Sequence, residues 1–173
     1  PAGIGKSWGL VNVAANAVKK GLNVIHYTLE LNGAYVGLRF DSVFTGIAAQ
    51  NLKYHIEEVK DCVDKLTGKL VVKYYPTKSA TVNTIKAHLD RCKMQGYSPD
   101  VVVVDYADLL RGMGKEIRHE LGNIYEDLRG LAGEYEIPVW TASQANRSAL
   151  EDDVIGAEKI AESYSKIMTA DFV

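Results

Sequence analysis

The sequence predicts an α/β domain over residues 1–173, incomplete at both ends, built on a mostly parallel central sheet with helices on both faces. Three observations carry this expectation. Apolar runs of strand length alternate with amphipathic stretches of helix length, the pattern of a parallel sheet covered on two sides. The run Val101-Val102-Val103-Val104 has four β-branched residues without polar alternation, as a strand buried on both faces requires. Finally, Gly3-Ile4-Gly5-Lys6-Ser7 leads directly into apolar, helix-forming residues, the form of a phosphate-binding loop at a helix N-terminus.

That loop opens the chain. In the pattern GxxxxGK[ST] the first glycine stands five residues before Gly5, so a glycine preceded by a strand is expected immediately upstream of Pro1. Gly3, Ile4 and Gly5 offer backbone N–H groups to phosphate oxygens, and glycine tolerates the dihedrals such a cradle needs. Lys6 reaches the outer phosphates of a nucleotide such as ATP, Ser7 Oγ ligates Mg²⁺, and Trp8 adjoins them. For Trp8, and for Tyr106 beside a later motif, packing behind the loop is preferred to stacking on a base.

The remaining elements follow in order. A helix over Lys6–Lys20 ends at Gly21, the usual C-terminal glycine. Strand Leu22–Leu29 comes next, then helices over Ala34–Ala49 and Leu52–Leu66, and strand Leu70–Tyr75. In the helix over Thr81–Gln95, Thr81 or Ser79 supplies the cap, and Val82, Ile85, Leu89 and Cys92 recur at helical spacing. Strand Val101–Asp105 precedes Arg111-Gly112-Met113-Gly114-Lys115, a connection with two glycines and two cations. A helix over Ile117–Tyr135, strand Ile137–Ala142 with Trp140 in the core, a helix over Asp153–Tyr164 and a fifth strand beginning at Ala170-Asp171-Phe172-Val173 complete the chain.

Composition narrows the function classes. A formal charge of −2, from 20 basic and 22 acidic residues, excludes a broadly basic nucleic-acid-binding surface while leaving room for a local basic loop. Cys62 and Cys92 lack a CxxC partner or clustered histidines, so reduced thiols are expected instead of a disulfide or zinc site. No apolar run of about 18 residues and no signal-peptide pattern occurs, which leads us to expect a cytoplasmic protein without a membrane partner.

In open α/β sheets ligands bind beyond the carboxyl ends of the strands, and three of these ends carry polar groups. Asp105 follows four valines and has the form of the carboxylate that holds Mg²⁺ together with a loop hydroxyl. The alternative is a strand-terminating Asp in a turn. Glu30 is placed either to polarise the water that attacks a γ-phosphate or simply to open a solvated loop. Gln144, after Ser143, either contacts the γ-phosphate and relays nucleotide state or merely ends its strand.

Taken together, Pro1–Ser7, Tyr27-Thr28-Leu29-Glu30-Leu31, Val104-Asp105-Tyr106-Ala107-Asp108-Leu109-Leu110, Leu131–Val139 and Ser143-Gln144-Ala145-Asn146-Arg147 resemble the RecA-like motor domain of DnaB-type replicative helicases, including phage versions. Order and spacing fit across nearly the whole chain. The resemblance implies a ring-forming, hexameric ATPase acting on single-stranded DNA. It gives Lys6 and Ser7 to phosphates and Mg²⁺, Asp105 to the metal, Glu30 to catalysis and Gln144 to γ-phosphate sensing, with Arg111, Lys115 and Arg118 as candidate DNA contacts. Such helicases supply an arginine finger downstream of a strand like Ala170–Val173, outside this sequence, so the resemblance implies weak hydrolysis by the chain alone. Two other readings stay open: a recombinase or circadian-clock-type ATPase of the same fold, and a module that assembles on ATP without hydrolysing it.

Overall fold

The computed structural model describes residues 5–112, 117–144 and 165–173. Along the chain run α1 (Lys6–Lys19), β1 (Val24–Thr28), α2 (Gly33–Thr45), a 3-10 segment (Ala49–Tyr54), α3 (Ile56–Asp64), β2 (Leu70–Tyr74), α4 (Val82–Met94) and β3 (Val101–Asp105). A 3-10 turn (Ala107–Leu109), α5 (Ile117–Tyr135), β4 (Val139–Thr141) and α6 (Ser165–Thr169) follow.

The described strands form one parallel sheet in the order β2-β1-β3-β4. Alternation along a strand sends successive side chains to opposite faces, and both faces here are apolar. Val24, Val101 and Val103 join Leu10, Val11, Ala14 and Val18 of α1 and Val36 and Phe40 of α2 in one buried cluster. Ile25, Tyr27, Val102 and Val104 join Ile85 and Leu89 of α4 and Leu121, Ile124 and Leu128 of α5 in the other. Every residue of β1 and β3 is buried, including the polar His26, Thr28 and Asp105.

Sequence expectation and structure agree closely for β3, α1 and α4. Thr81 caps α4 in a reciprocal box, accepting from Thr84 N at 3.2 Å while its own N–H donates to Thr84 Oγ1 at 3.1 Å. The buried face of α4 is Val82, Ile85, Leu89 and Cys92. Elsewhere the boundaries move. The helix expected over Ala34–Ala49 stops at Thr45, because Gly46 takes up a left-handed conformation (φ 78°) and returns its N–H to Ser42 O at 2.8 Å. The helix expected over Leu52–Leu66 is split, with a 3-10 segment before α3 begins at Ile56.

Two expectations at the end of the sheet are overturned. Ala170–Val173 is not a strand; Arg129 pairs with Asp171 at 2.7 Å, and Phe172 and Val173 are exposed. A short apolar run makes a strand only where a neighbouring edge receives it, and among the described residues none pairs with this segment. Trp140 is 46% exposed and not core: β4 lies at the end of the described sheet, and the buried cluster under α1 and α2 includes Val103 but not its β4 partner Trp140. Trp8 is also exposed, whereas Tyr106 is buried as expected. The helix expected over Asp153–Tyr164 lies outside the described residues. Cys62 and Cys92 are free thiols, and among the described residues no helix is long and apolar enough to cross a membrane.

One core residue departs from the apolar pattern. His26 on β1 is fully buried, edge-on to Phe40 with ring centroids 5.4 Å apart, and neither ring nitrogen has a hydrogen-bond partner among the described residues. Burial, with the Arg39 charge adding to it, lowers its pKa from 6.5 to about 4. The unfolded chain therefore binds a proton between those values that the folded chain refuses, so stability falls as pH drops from above 6.5 towards 4. We expect this group to remove about 2 kcal/mol between pH 7.5 and pH 5. Urea unfolding of His26→Leu beside the wild type checks it: the variant should lose that part of the pH dependence, and identical pH profiles would exclude His26 as its source.

Candidate active site

The strand order makes one place on the sheet edge distinctive. From β1 the chain crosses to β2 on one side through α2, and from β3 it crosses to β4 on the other through α5. Because α2 and α5 pack on opposite faces, the connections diverge where β1 and β3 end side by side. Such a switch point is where open α/β sheets leave a crevice for a ligand. Thr28 pairs with Asp105 across it, and the Leu29 N–H donates to Asp105 O at 2.9 Å.

Over this crevice sits the N-terminus of α1. Gly5 precedes the helix in the left-handed region (φ 88°), a conformation a Cβ would strain, and accepts from Gly9 N at 2.8 Å. The first turn therefore opens at the crevice, with no acidic side chain of its own to oppose an anion, and the positive end of a helix dipole favours one there. Lys6 Nζ lies 5.8 Å from the ring centroid of Tyr106, and Ser7 Oγ donates to Asp105 Oδ1 at 3.1 Å, joining residues 98 apart in sequence. Gly3 and Ile4 lie outside the described residues. Trp8 has the Arg39 guanidinium 5.2 Å from its ring centroid.

Asp105 is fully buried, and its Oδ2 has no partner among the described residues. Burial raises its pKa and the Glu30 charge adds to that; the Ser7 hydrogen bond, Arg39 and Lys6 pull it down. An unpartnered buried carboxylate oxygen beside a hydroxyl is a costly arrangement, and a hard divalent cation accepts just these two donors. The residues present thus fit Mg²⁺, held by Ser7 and Asp105. Glu30 is exposed, one residue beyond the buried Leu29, and its charge is felt at both Asp105 and Tyr106. Two hydroxyls brace its turn: Thr28 Oγ1 donates to Leu31 O at 2.6 Å and Thr77 Oγ1 to Leu29 O at 2.8 Å.

Gln144 joins the same site through its amide, which donates to Tyr106 OH at 2.7 Å. Its strand end is tied to β3 by Thr141, whose Oγ1 donates to Val104 O at 2.8 Å and accepts from Ala107 N at 2.9 Å. The structure thus brings together Lys6, Ser7, Glu30, Asp105 and Gln144. Of the basic residues, Arg111 is exposed beyond the 3-10 turn, anchored by its N–H to Ala80 O at 2.8 Å. Lys115 lies outside the described residues, and Arg118 falls on the first turn of α5 with its side chain outside them.

Sequence reasoning missed Arg39, Thr28, Thr77, Thr141, Asp108 and Lys166. Asp108 had a visible signal, a second acidic residue three positions after Asp105 in a motif otherwise apolar. The others are ordinary residues whose partners are distant in sequence.

Comparison with known proteins is consistent with this geometry. The sequence profile described as "DnaB-like helicase C terminal domain" matches residues 1–153. A protein named "DnaB-like replicative helicase" from Enterobacteria phage T4 is 30% identical over 184 residues, covering 98% of this chain and 39% of that protein. "Replicative DNA helicase DnaB" of Geobacillus stearothermophilus is 34% identical over 155 residues, covering 84% of this chain and 34% of its own length. The solved structure described as "The Structure Of A DnaB-Like Replicative Helicase And Its Interactions With Primase" shares the fold, with a TM-score of 0.84 at 18% identity over 98% of this chain and 44% of that one. The chain therefore spans roughly a third to two fifths of the length of these curated relatives.

The Ser7–Asp105 pair generates a direct test. Asp105→Asn keeps a side chain of the same shape but removes the charge, so Mg²⁺-dependent tightening of nucleoside triphosphate binding should weaken on the order of 10- to 100-fold. In metal-free buffer containing EDTA the same variant should unfold at no lower temperature than the wild type, since a buried charge has been removed. Fluorescence titration with and without EDTA reads the first, and thermal unfolding the second. Unchanged Mg²⁺ dependence would remove Asp105 from the metal site.

Proposed function

The chain belongs to the DnaB-like helicase C-terminal domain family, and from that premise we propose that it is the ATP-binding and ATP-hydrolysing motor of a ring-forming, hexameric replicative helicase acting on single-stranded DNA. The observation that carries this reading is the 3.1 Å contact from Ser7 Oγ to Asp105 Oδ1, which unites a phosphate-loop hydroxyl with a strand-end carboxylate beside Glu30. An anion-binding module has no use for two carboxylates at a phosphate site. A phosphoryl-transfer site needs both, one for the metal and one for water.

The residues divide the work by position. Backbone N–H groups of the loop through Gly5, together with the first turn of α1, bind phosphate oxygens, and the Lys6 ammonium neutralises the outer ones. Ser7 and Asp105 would hold Mg²⁺, which would supply neutralisation of the charge that builds on the phosphates. Glu30, exposed and braced by Thr28 and Thr77, orients the attacking water and accepts its proton. Gln144, whose amide is held on Tyr106 OH next to Lys6, contacts the γ-phosphate. Arg111, with Lys115 and Arg118, is assigned to the DNA-facing side.

Two measurements test the proposal. Glu30→Gln should lower single-turnover ATP hydrolysis by about 10²- to 10⁴-fold while ATP affinity, read by equilibrium titration, changes little. Hydrolysis that survives this change would displace Glu30 as the base and favour a module that assembles without turnover. For DNA, oligo(dT) affinity should fall with log[salt], and Arg111→Ala/Lys115→Ala should flatten that slope by about 1.4, two single-strand phosphate contacts at about 0.7 each. A double variant with the wild-type slope would send the search to another face.

A further inference from the structure

Asp108 stands three residues past Asp105, in the 3-10 turn after β3, and its environment is the reverse of Asp105's. Its Oδ1 accepts from Lys166 Nζ at 2.8 Å and from Tyr125 OH at 2.9 Å. Its Oδ2 accepts from Ser143 Oγ and from the Gln144 N–H, both at 3.2 Å. Lys166 also donates to Ser143 Oγ at 3.3 Å, and its side chain is only 2% exposed against 14% for Asp108. Four donors from α5, α6 and the end of β4 therefore converge on one carboxylate.

Burying such a pair costs several kcal/mol per ion, and apolar residues of similar volume would serve packing as well or better. What apolar residues cannot do is hold a backbone N–H. Here the N–H held is that of Gln144, whose side-chain amide is fixed on Tyr106 OH at 2.7 Å, beside Lys6. Gln144 is thus gripped at its backbone by Asp108 and at its amide by Tyr106, with Ser143 clamped one residue earlier.

We propose that the buried Asp108–Lys166 pair is the positioning device for Gln144, fixing the end of β4 so that the Gln144 amide meets the terminal phosphate of a nucleoside triphosphate. This rests on the reading of Gln144 as the γ-phosphate contact. Asp108 touches no phosphate itself and acts through Gln144. Loss of the clamp leaves the binding of a diphosphate intact and removes preference for the triphosphate, which separates positioning from general structural support.

The test compares dissociation constants for ADP and the nonhydrolysable triphosphate analogue AMP-PNP, with Mg²⁺, on the whole chain. Gln144→Ala should reduce the triphosphate preference by about 10- to 100-fold, the loss expected for one hydrogen bond to a charged group. Asp108→Leu, which removes the acceptor of the Gln144 N–H, should reproduce that reduction with ADP affinity within about twofold of wild type, and the Asp108→Leu/Gln144→Ala double variant should be no worse than Gln144→Ala, as residues acting in one chain of contacts are non-additive. If Asp108→Leu fails to fold with Lys166 left unpaired, Asp108→Leu/Lys166→Met removes both charges and takes its place in the comparison. Retention of the wild-type preference by a folded Asp108 variant, while Gln144→Ala loses it, overturns the clamp alone. An unchanged preference in Gln144→Ala overturns the sensor reading and the clamp with it.

Discussion

One backbone hydrogen bond keeps the two acidic groups of the site in step: the Leu29 N–H donates to the Asp105 carbonyl at 2.9 Å, extending the parallel register in which Thr28 faces Asp105. Side chains alternate with a period of two, so a slip of one residue would turn Asp105 from the α1 face to the α4–α5 face and strand Ser7 without its acceptor. Register here is enforced by the core. Val24, Val101 and Val103 must meet α1 and α2, while Ile25, Tyr27, Val102 and Val104 must meet α4 and α5. Apolar packing over the length of two strands thus fixes the geometry of the edge that carries the candidate site.

Asp105 and Asp108 show how burial of the same functional group serves opposite ends. Asp108 has four donors and a buried lysine as counter-ion, which leaves its carboxylate little capacity for a further ligand. Among the described residues Asp105 has one side-chain donor, the Ser7 hydroxyl, and one bare oxygen, and it faces a helix N-terminus. The first arrangement holds protein parts together. The second is held by the packing around it and has the donor set that suits a divalent cation. Tyr106 lies between them in sequence and joins the two in space through Gln144.

Much of this was legible in the sequence where a residue's role follows from its neighbours along the chain. Four consecutive valines announce a doubly buried strand, and the next residue, Asp105, is then placed at its carboxyl end without further information. Thr81 and Ser79, just ahead of apolar residues at helical spacing, announce a cap, and the structure selects Thr81. Lys6 and Ser7 declare themselves by the glycine before them. Roles set by what lies across the fold were not legible. Asp108 stands out as a second acidic residue in an apolar motif, but its partner Lys166, 58 residues away, looks like an ordinary surface charge until the two meet. The apolar run at Ala170–Val173 has strand composition but no strand beside it among the described residues, and Trp140 sits in an apolar strand whose outer side is unpaired there. Composition states what a segment prefers, and only topology says whether a partner is present to satisfy it.

The clamp on β4 follows from a difficulty that any γ-phosphate contact on this edge must solve. β4 is three residues long and pairs on one side among the described residues, so its carboxyl end has few backbone hydrogen bonds to hold it. A loosely held glutamine would lose rotamer and backbone freedom on meeting a phosphate, and that ordering opposes binding. Thr141 fastens the strand end to β3 through Val104 O and Ala107 N, and Asp108 fastens the next two residues through Ser143 Oγ and Gln144 N. The ordering is therefore accomplished when the chain folds, with core burial as its source. Asp105 ends β3 and Asp108 stands three residues on in the 3-10 turn that follows it, so the carboxylate beside Ser7 and the proposed clamp on Gln144 are carried by adjoining elements close together in the chain.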